Sequence, residues 1–460
     1  TVYENRVELM GLYSVTRSIR WWLNGFPGDA YARLLAQSEH WSKEEMQTYR
    51  DGKLRRLIAH CYENVQYYRD VMDREKIKPN DIQSAADLVK LPLLTKETVR
   101  MHRSELLASN IKQMVVSWSK TGGTTGEPMQ ICRNTECGAW ESMCYERGSR
   151  WGGMDLETPR IKLFGGSLGI DKKSFVERFG TRIRGDLFLP AFELRADTAP
   201  TFFSKIRRSK CRFLIGYASA IYRLAKLAEE MGLTIQFDAV FPTAELLLPE
   251  WEDTIRKVFA CHVLPYYGSG EVRSLGYCRP DSSGYFIPEE HAIIEVLQKD
   301  GSLQLSGDGG FVITDLDNYA MPIIRYVNGD AGKVSDARDS GLPFSRIERL
   351  DGRYNSFLLT DSGDLISGVI GTHIFRHVPS VRTYRIIQET PLDVTINIVP
   401  EAGYSTKDEN LILDLFTKHL GSKTKIVIQK VAHIETPPSG KSVFVINKCL
   451  APPVQRNSVL

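Results

Sequence analysis

From residue 114 to about residue 265 the chain alternates short apolar runs with longer amphipathic stretches. The short runs fall at Ile161–Phe164, Arg212–Ile215, Phe237–Phe241 and His262–Pro265. Segments of helical period separate them, such as Ser219–Met231, which stops at Gly232, and Leu248–Ala260. Strands that alternate with helices predict a mostly parallel sheet covered by helices. Ligands in such folds gather at loops beyond the strand ends. The opening part of the chain reads differently. Ser42 followed by Glu45 forms a capping box. Leu54, Leu57, Ile58, Cys61 and Val65 then recur at helical spacing. Leu91-Pro92-Leu93 interrupts the pattern, and Thr95 caps the next predicted helix.

Beyond His291 the texture changes again. Alternating strands run to Ser335, with Asp300-Gly301 and Asp308-Gly309-Gly310 reading as hairpin turns. An antiparallel or barrel-like subdomain is expected there. After Asp351-Gly352 come strands at Thr383–Gln388 and Val394–Ile398 and a helix at Asp408–Leu420 closed by Gly421. Strands at Lys425–Lys430 and Val443–Ile446 complete a small α+β domain of ordinary size, about a hundred residues. The expected fold class is α/β with an α+β C-terminal part. Residues 1–350 form a large N-terminal domain, and residues 351–460 a small one.

Composition narrows the function only a little. Of 460 residues, 42% are hydrophobic and 25% charged, which suits a globular protein with more than one domain. Net charge is 59 − 56 = +3, so no global basic field argues for nucleic acid. Eight scattered cysteines without a Cys-x-x-Cys pair read as reduced thiols in a cytosol. Cys261, His262, Cys278 and His291 lie close enough in sequence to form a candidate zinc group, but their spacing matches no zinc template. No signal peptide or spanning run is visible, and the amphipathic Arg17–Trp22 stretch is too short to span. A cytoplasmic protein without stable membrane insertion is expected.

Chemistry is concentrated in five segments. Thr121-Gly122-Gly123-Thr124-Thr125-Gly126 follows a β-like run and offers hydroxyls and backbone N–H groups to phosphate oxygens. It is not the Walker loop, because Glu127 and Pro128 stand where Lys-Ser/Thr is required. Without partners it reads equally as a plain connecting loop. Tyr266-Tyr267-Gly268-Ser269-Gly270-Glu271 leaves a strand at a glycine turn and ends in an acid suited to Mg²⁺, with Tyr267 offering a face for a base. The alternative is a strand end with a solvated glutamate. Asn328-Gly329-Asp330 reads either as a hairpin turn or as an acid for a ribose diol. Arg353 follows Asp351-Gly352, as a hinge residue or a ribose and phosphate contact. Thr436–Lys441 is a stiffened loop presenting one lysine, which most loops leave solvated.

In this order the five segments resemble the adenylate-forming superfamily of acyl-CoA synthetases, adenylation domains and luciferases. More narrowly, the chain resembles the phenylacetate–CoA ligase branch, especially members found in capsule-biosynthesis clusters. Leu54–Ile58, Asn64–Arg69, Leu91–Lys96 and Val431–Lys441 extend the resemblance over nearly the full length. It implies an enzyme, a ligase that makes an acyl-adenylate from ATP and a carboxylic acid and passes the acyl group to CoA or an amine. The small domain would be mobile and carry the lysine loop. Thr121–Gly126 would hold the ATP phosphates and Glu245 would lie by the nucleotide. Tyr267 would stack on adenine, Glu271 would bind Mg²⁺, and Asp330 and Arg353 would hold the ribose. Lys441 would stabilise the transition state. Tyr217, Gly268 and Ser269 would line the acyl pocket. A homodimer is compatible with it. An amide-forming ligase, or an ATP-independent acyltransferase or binding protein in surface-polysaccharide or secondary-metabolite biosynthesis, is the alternative. Met129, Gly270, Asn355 and Phe286 depart from the family pattern, where lysine, threonine, aspartate and histidine are common.

Overall fold

A computed structural model describes residues 28–120, 129–164, 184–298, 300–336, 341–353, 357–363, 365–368, 370–375, 377–435 and 443–449. The chain divides into two compact units. The first holds residues up to 328 together with 332–349, and the second holds 329–331 and everything from Leu350 onward.

The first unit opens with helices Gly28–Ser38, Lys43–Asn64, Gln66–Arg74 and Lys96–Met101. The capping box forms as the sequence predicts. The Glu45 N–H donates to Ser42 Oγ at 3.1 Å, and the Ser42 N–H donates to the Glu45 carboxylate at 2.7 Å. The Thr98 N–H donates to Thr95 Oγ1 at 3.1 Å, which starts the fourth helix. An antiparallel hairpin of β1 (Val116–Lys120) and β2 (Gln130–Asn134) follows, then the helix Thr135–Trp151.

Next comes the parallel sheet. Its strands are β3 (Ile161–Phe164), β4 (Leu187–Pro190), β5 (Phe213–Tyr217), β6 (Ala239–Thr243) and β7 (His262–Val263), in the order β4-β3-β5-β6-β7. All four pairings are parallel. Helices Ala199–Ser209, Ala218–Glu230 and Pro249–Phe259 connect them. The register sets Tyr217 opposite Thr243, so β5 and β6 end at the same level. The apolar core beside this sheet gathers Trp140, Met143, Phe213, Ile215, Phe241, Leu264, Tyr266 and Tyr277.

A second sheet of eight strands follows in sequence. It contains β8 (Tyr266–Tyr267), β9 (Gly276–Tyr277), β10 (Tyr285–Phe286), β11 (Ala292–Leu297), β12 (Leu303–Gln304), β13 (Gly307–Asp315), β14 (Tyr326–Ser335) and β15 (Arg346–Arg353). Their order is β12-β11-β13-β14-β15-β10-β9-β8. Asp300-Gly301 joins β11 to β12 as expected. Asp308-Gly309-Gly310 does not turn; it lies inside β13. A Cβ on Gly309 would sit 2.1 Å from the Leu297 carbonyl, so the glycine there serves a close strand approach. Asn328-Gly329-Asp330 likewise runs inside β14 and not in a hairpin turn, with Gly329 at φ +82.

The second unit contains β16 (Phe357–Leu359), β17 (Leu365–Ser367), β18 (Val381–Thr390), β19 (Asp393–Pro400), β20 (Lys425–Lys430) and β21 (Val445–Asn447). Helices Ile370–Phe375 and Thr406–Leu420 accompany them. The main sheet has the order β20-β19-β18-β21, antiparallel in the middle and parallel at both edges. Ile374, Ile386, Ile396, Ile398, Ile412, Phe416 and Leu420 form its core. No described helix is long and apolar enough to cross a membrane.

Candidate active site

The carboxyl ends of β5 and β6 bring two predicted residues together. Tyr217 ends β5 with 1% of its surface exposed, and its ring meets Phe164 edge-on at 5.3 Å. Glu245 follows β6, and its carboxylate accepts the Ser219 backbone N–H at 2.8 Å. Ser219 is the second residue of the helix after Tyr217, so an anionic side chain caps a helix N-terminus, where backbone dipoles favour negative charge. Getting it there requires Ala244 in the left-handed region, at φ +67. That conformation costs an L-residue about 1–2 kcal/mol. Strain of this kind concentrates at functional positions.

The next strand end carries the turn from Tyr267 to Glu271. Tyr267 is 7% exposed, and its hydroxyl accepts a hydrogen bond from Asn328 Nδ2 at 2.8 Å. Tyr285 and Phe311 stand edge-on to its ring. Gly268 lets the chain fold back, since a Cβ there would lie 3.1 Å from the Ser274 nitrogen. Ser269 Oγ donates to the Val272 carbonyl and accepts from the Glu271 and Val272 N–H groups. Its hydroxyl is therefore committed to the turn. Glu271 is only 6% exposed, and among the described residues no protein donor meets its carboxylate. A carboxylate without a protein donor at a strand end is available to a cation.

Beneath this turn lies a charged network that sequence reasoning missed. His291 Nδ1 is 2.8 Å from Asp317 Oδ2, and its Nε2 is 3.2 Å from the Arg273 carbonyl. Lys53 Nζ meets Asp317 Oδ1 at 2.5 Å and lies 3.8 Å from the centre of the Trp140 ring. Asp315 accepts the Asp317 and Asn318 N–H groups and the Cys137 thiol. Burial opposes the imidazolium, but the Asp317 hydrogen bond and the Asp315 and Asp317 charges outweigh it and raise the His291 pKa. Burial raises Asp315 as well. His291, Asp315 and Asp317 have metal-ligand spacing. Lys53 and His291 already compensate their charge, so a divalent ion would have to displace an ammonium group.

Among the described residues His291 clusters with Asp315 and Asp317, and not with Cys261, His262 and Cys278. All eight cysteines are free. Burial pushes the Cys261 thiol up to about 12. Phe286, in the expected histidine place, packs with Met46, Leu342 and Phe344 in an apolar cluster. Met129 is buried at 3% exposure.

The remaining predicted residues divide. Asp330 is half-buried in β14 and groups with the second unit. Arg353 ends β15, but its side chain lies outside the described residues, as do Thr121–Gly126, Asn355 and Lys441. Arg325 sits five residues before Asp330 in sequence and is 2% exposed. Its guanidinium takes both Glu295 oxygens, at 3.0 and 2.9 Å, and the Leu91 carbonyl. That arginine stitches the predicted Leu91–Lys96 segment to the strand leading toward Asp330.

With this arrangement, comparison with known proteins becomes informative. Protein CapK of Staphylococcus aureus is 22% identical over 400 residues, covering 84% of this chain and 85% of its own. A phenylacetate-coenzyme A ligase of Aromatoleum evansii is 22% identical over 451 residues, covering 92% and 98%. The chain is similar to CapK and to phenylacetate–CoA ligases over most of its length. Residues 358–448 match the family model described as the CapK C-terminal domain. The fold is that of a 2-hydroxyisobutyryl-CoA ligase solved in its postadenylation state with 2-HIB-AMP. That structure aligns at TM-score 0.67 and 15% identity over 90% of this chain and 91% of that one. The α/β class with an α+β C-terminal part, expected from the sequence, is the fold this ligase shares.

Proposed function

We propose that this protein is an ATP-dependent ligase that activates a carboxylic acid as an acyl-adenylate and transfers the acyl group to a thiol, CoA, or to an amine. The relationship to phenylacetate–CoA ligases over most of the chain supports the reaction class. The observation that carries it to this molecule is Glu271, a carboxylate 6% exposed and unmatched among the described residues, one turn beyond a tyrosine. Such a group fits Mg²⁺, which takes one or two carboxylates together with substrate oxygens. Bound there, Mg²⁺ would neutralise phosphate charge.

The chemistry asks for placement more than for proton transfer. A substrate carboxylate oxygen attacks the α-phosphorus of ATP, and the bond to the pyrophosphate oxygen breaks. Catalysis of such a step is positioning plus charge stabilisation. In this reading Tyr267 stacks on adenine while Asn328 fixes its ring. Tyr217, Gly268 and Ser269 border the acyl group. Glu245 lies by the nucleotide at the end of β6. Thr121–Gly126 holds the phosphates, Asp330 and Arg353 hold the ribose, and Lys441 supplies positive charge to the transition state. Domain assignments of 1–350 and 351–460, with the second part mobile, belong to the same proposal.

Pyrophosphate release screened over carboxylic acids, with CoA and separately with amines, tests it. Release that requires one class of acid is expected, and the acceptor that consumes the adenylate decides between thioester and amide. Absence of release with every acid would overturn the proposal in favour of a protein without ATP chemistry.

A further inference from the structure

We infer that Arg133 is a positioning residue of the adenylation site. It ties the end of β1, from which the Thr121–Gly126 segment continues, to the turn that presents Glu271. Its consequence for catalysis rests on the function proposed above; the geometry does not.

An arginine in a short strand with buried neighbours is unusual unless its charge and donors are matched. Arg133 is 2% exposed, between buried Cys132 and Asn134. Strand pairing sets it opposite Ser117, which puts Ser119 one diagonal step away on the same face. One terminal nitrogen donates to Ser119 Oγ. The other donates to two successive carbonyls, Gly270 and Glu271, each at 2.7 Å. Nε makes no hydrogen bond but lies 3.0 Å from the Glu141 carboxylate, on the helix Thr135–Trp151, as an ion pair that matches the charge.

The turn is attached to that same helix from its far side. Arg273 Nη1 lies 3.3 Å from the other Glu141 oxygen, and Ser274 Oγ donates to the Glu141 carbonyl at 2.8 Å. Gly270 brings no side chain with which to anchor itself, so its carbonyl and that of Glu271 are the available handles. Only a planar fork of several donors reaches a hydroxyl, two carbonyls and a carboxylate together; an ammonium group does not. Arg133 thus sets the distance between the end of β1 and the turn that presents Glu271. In a step that depends on alignment, small displacements of such segments are expensive.

The test uses the full chain with Arg133→Lys and, as a milder companion, Ser119→Ala. Two readouts are taken on each folded variant. The first is amide hydrogen exchange over residues 267–275 and 116–120. Arg133→Lys should speed exchange in both segments by about tenfold, the factor carried by one lost hydrogen bond to a charged group. The second is acid-dependent pyrophosphate exchange. The half-saturating MgATP concentration should rise by a similar factor, while that for the acid stays unchanged. A residue needed only for stability would move both together with the thermal midpoint. If Arg133→Lys does not fold, Ser119→Ala carries the test, with about tenfold faster exchange expected in residues 116–120 alone, for the loss of one hydrogen bond to a charged group. Unchanged amide exchange in a folded variant overturns the positioning claim. A wild-type protein without pyrophosphate exchange overturns the functional reading, and amide exchange then still decides whether Arg133 holds the turn.

Discussion

The two units of this chain are held together by different physics. In the first, charged side chains are buried and matched: Arg147 with Glu290, Arg50 with Glu289, Arg325 with Glu295, and Lys53 and His291 with Asp317. In the second, Gln388, Thr424 and Asn447 are the buried polar residues among those described, and none is charged. Its core is aliphatic and aromatic. Buried ion pairs add little net stability over apolar packing, but they fix geometry closely and fail badly when one partner is removed. The first unit has several loop ends and strand termini to place at one site. The second has one sheet to cover, and apolar packing suffices.

Removing half of a matched pair should reveal the contrast most strongly. Glu290 is fully buried and accepts Arg147 at 2.6 and 3.1 Å, with Ser38 as a third donor. Burial alone would raise its carboxyl, but Arg147 holds it below the ordinary range. Arg147→Met strands that carboxylate and should cost about 3–5 kcal/mol, read from the denaturant midpoint of the first unit. A smaller loss, on the scale of a surface pair, would break the comparison.

The polar pair of the second unit should be less costly. Asn447 donates to Gln388 Oε1 at 2.7 Å and to the Phe357 carbonyl at 2.8 Å, which ties β16 to β18 and β21. Asn447→Ala should cost about 1–3 kcal/mol, the penalty for buried neutral groups left unmatched. The unfolding transition of the second unit reports it.

Smaller still is the pH effect of the charged network. The folded pKa of His291 lies above its ordinary value of 6.5. Its contribution is therefore fully present below about pH 6.5 and is lost as pH rises through the folded pKa. Asp315, also raised, works in the same direction. Cys137, Glu141 and Lys53 complete the surroundings, and the thiol of Cys137 is raised by burial. His291→Gln should flatten the fall of thermal midpoint above about pH 6.5. Parallel curves for variant and parent would remove the network from the comparison.

The smallest effect has the opposite sign. Ala244→Gly removes the left-handed strain at φ +67 but loosens the unfolded chain, for a net gain of about 0.5 kcal/mol. A net loss would mean that the Ala244 methyl packs better than its backbone suffers.

Much of this was legible in the sequence because it is local. Capping at Ser42 and Thr95, the helix ending at Gly232, and four of the five strands of the parallel sheet follow from spacing and neighbours; the edge strand β4, Leu187–Pro190, was not among the expected runs. Glycines were misread where their reason is tertiary. Gly309 admits the Leu297 carbonyl of another strand, and nothing within Asp308-Gly309-Gly310 separates that from a turn. The site's supports were also illegible for this reason. Arg133 reaches Glu271 across 138 positions and Arg147 reaches Glu290 across 143. The one local hint was a charged residue inside a short, otherwise buried strand. Nearness in sequence grouped His291 with Cys261, His262 and Cys278, while the fold gave it to Asp315 and Asp317.

Magnesium dependence tests the role of Glu271 most directly. Wild-type protein and Glu271→Gln are compared in acid-dependent pyrophosphate exchange over a Mg²⁺ titration. Loss of one anionic ligand should shift the half-saturating Mg²⁺ concentration upward by about tenfold or more while the fold is retained. Coincident titrations for the two proteins would contradict the assignment of Glu271 to the metal and, with it, the reading of this turn as the centre of the site.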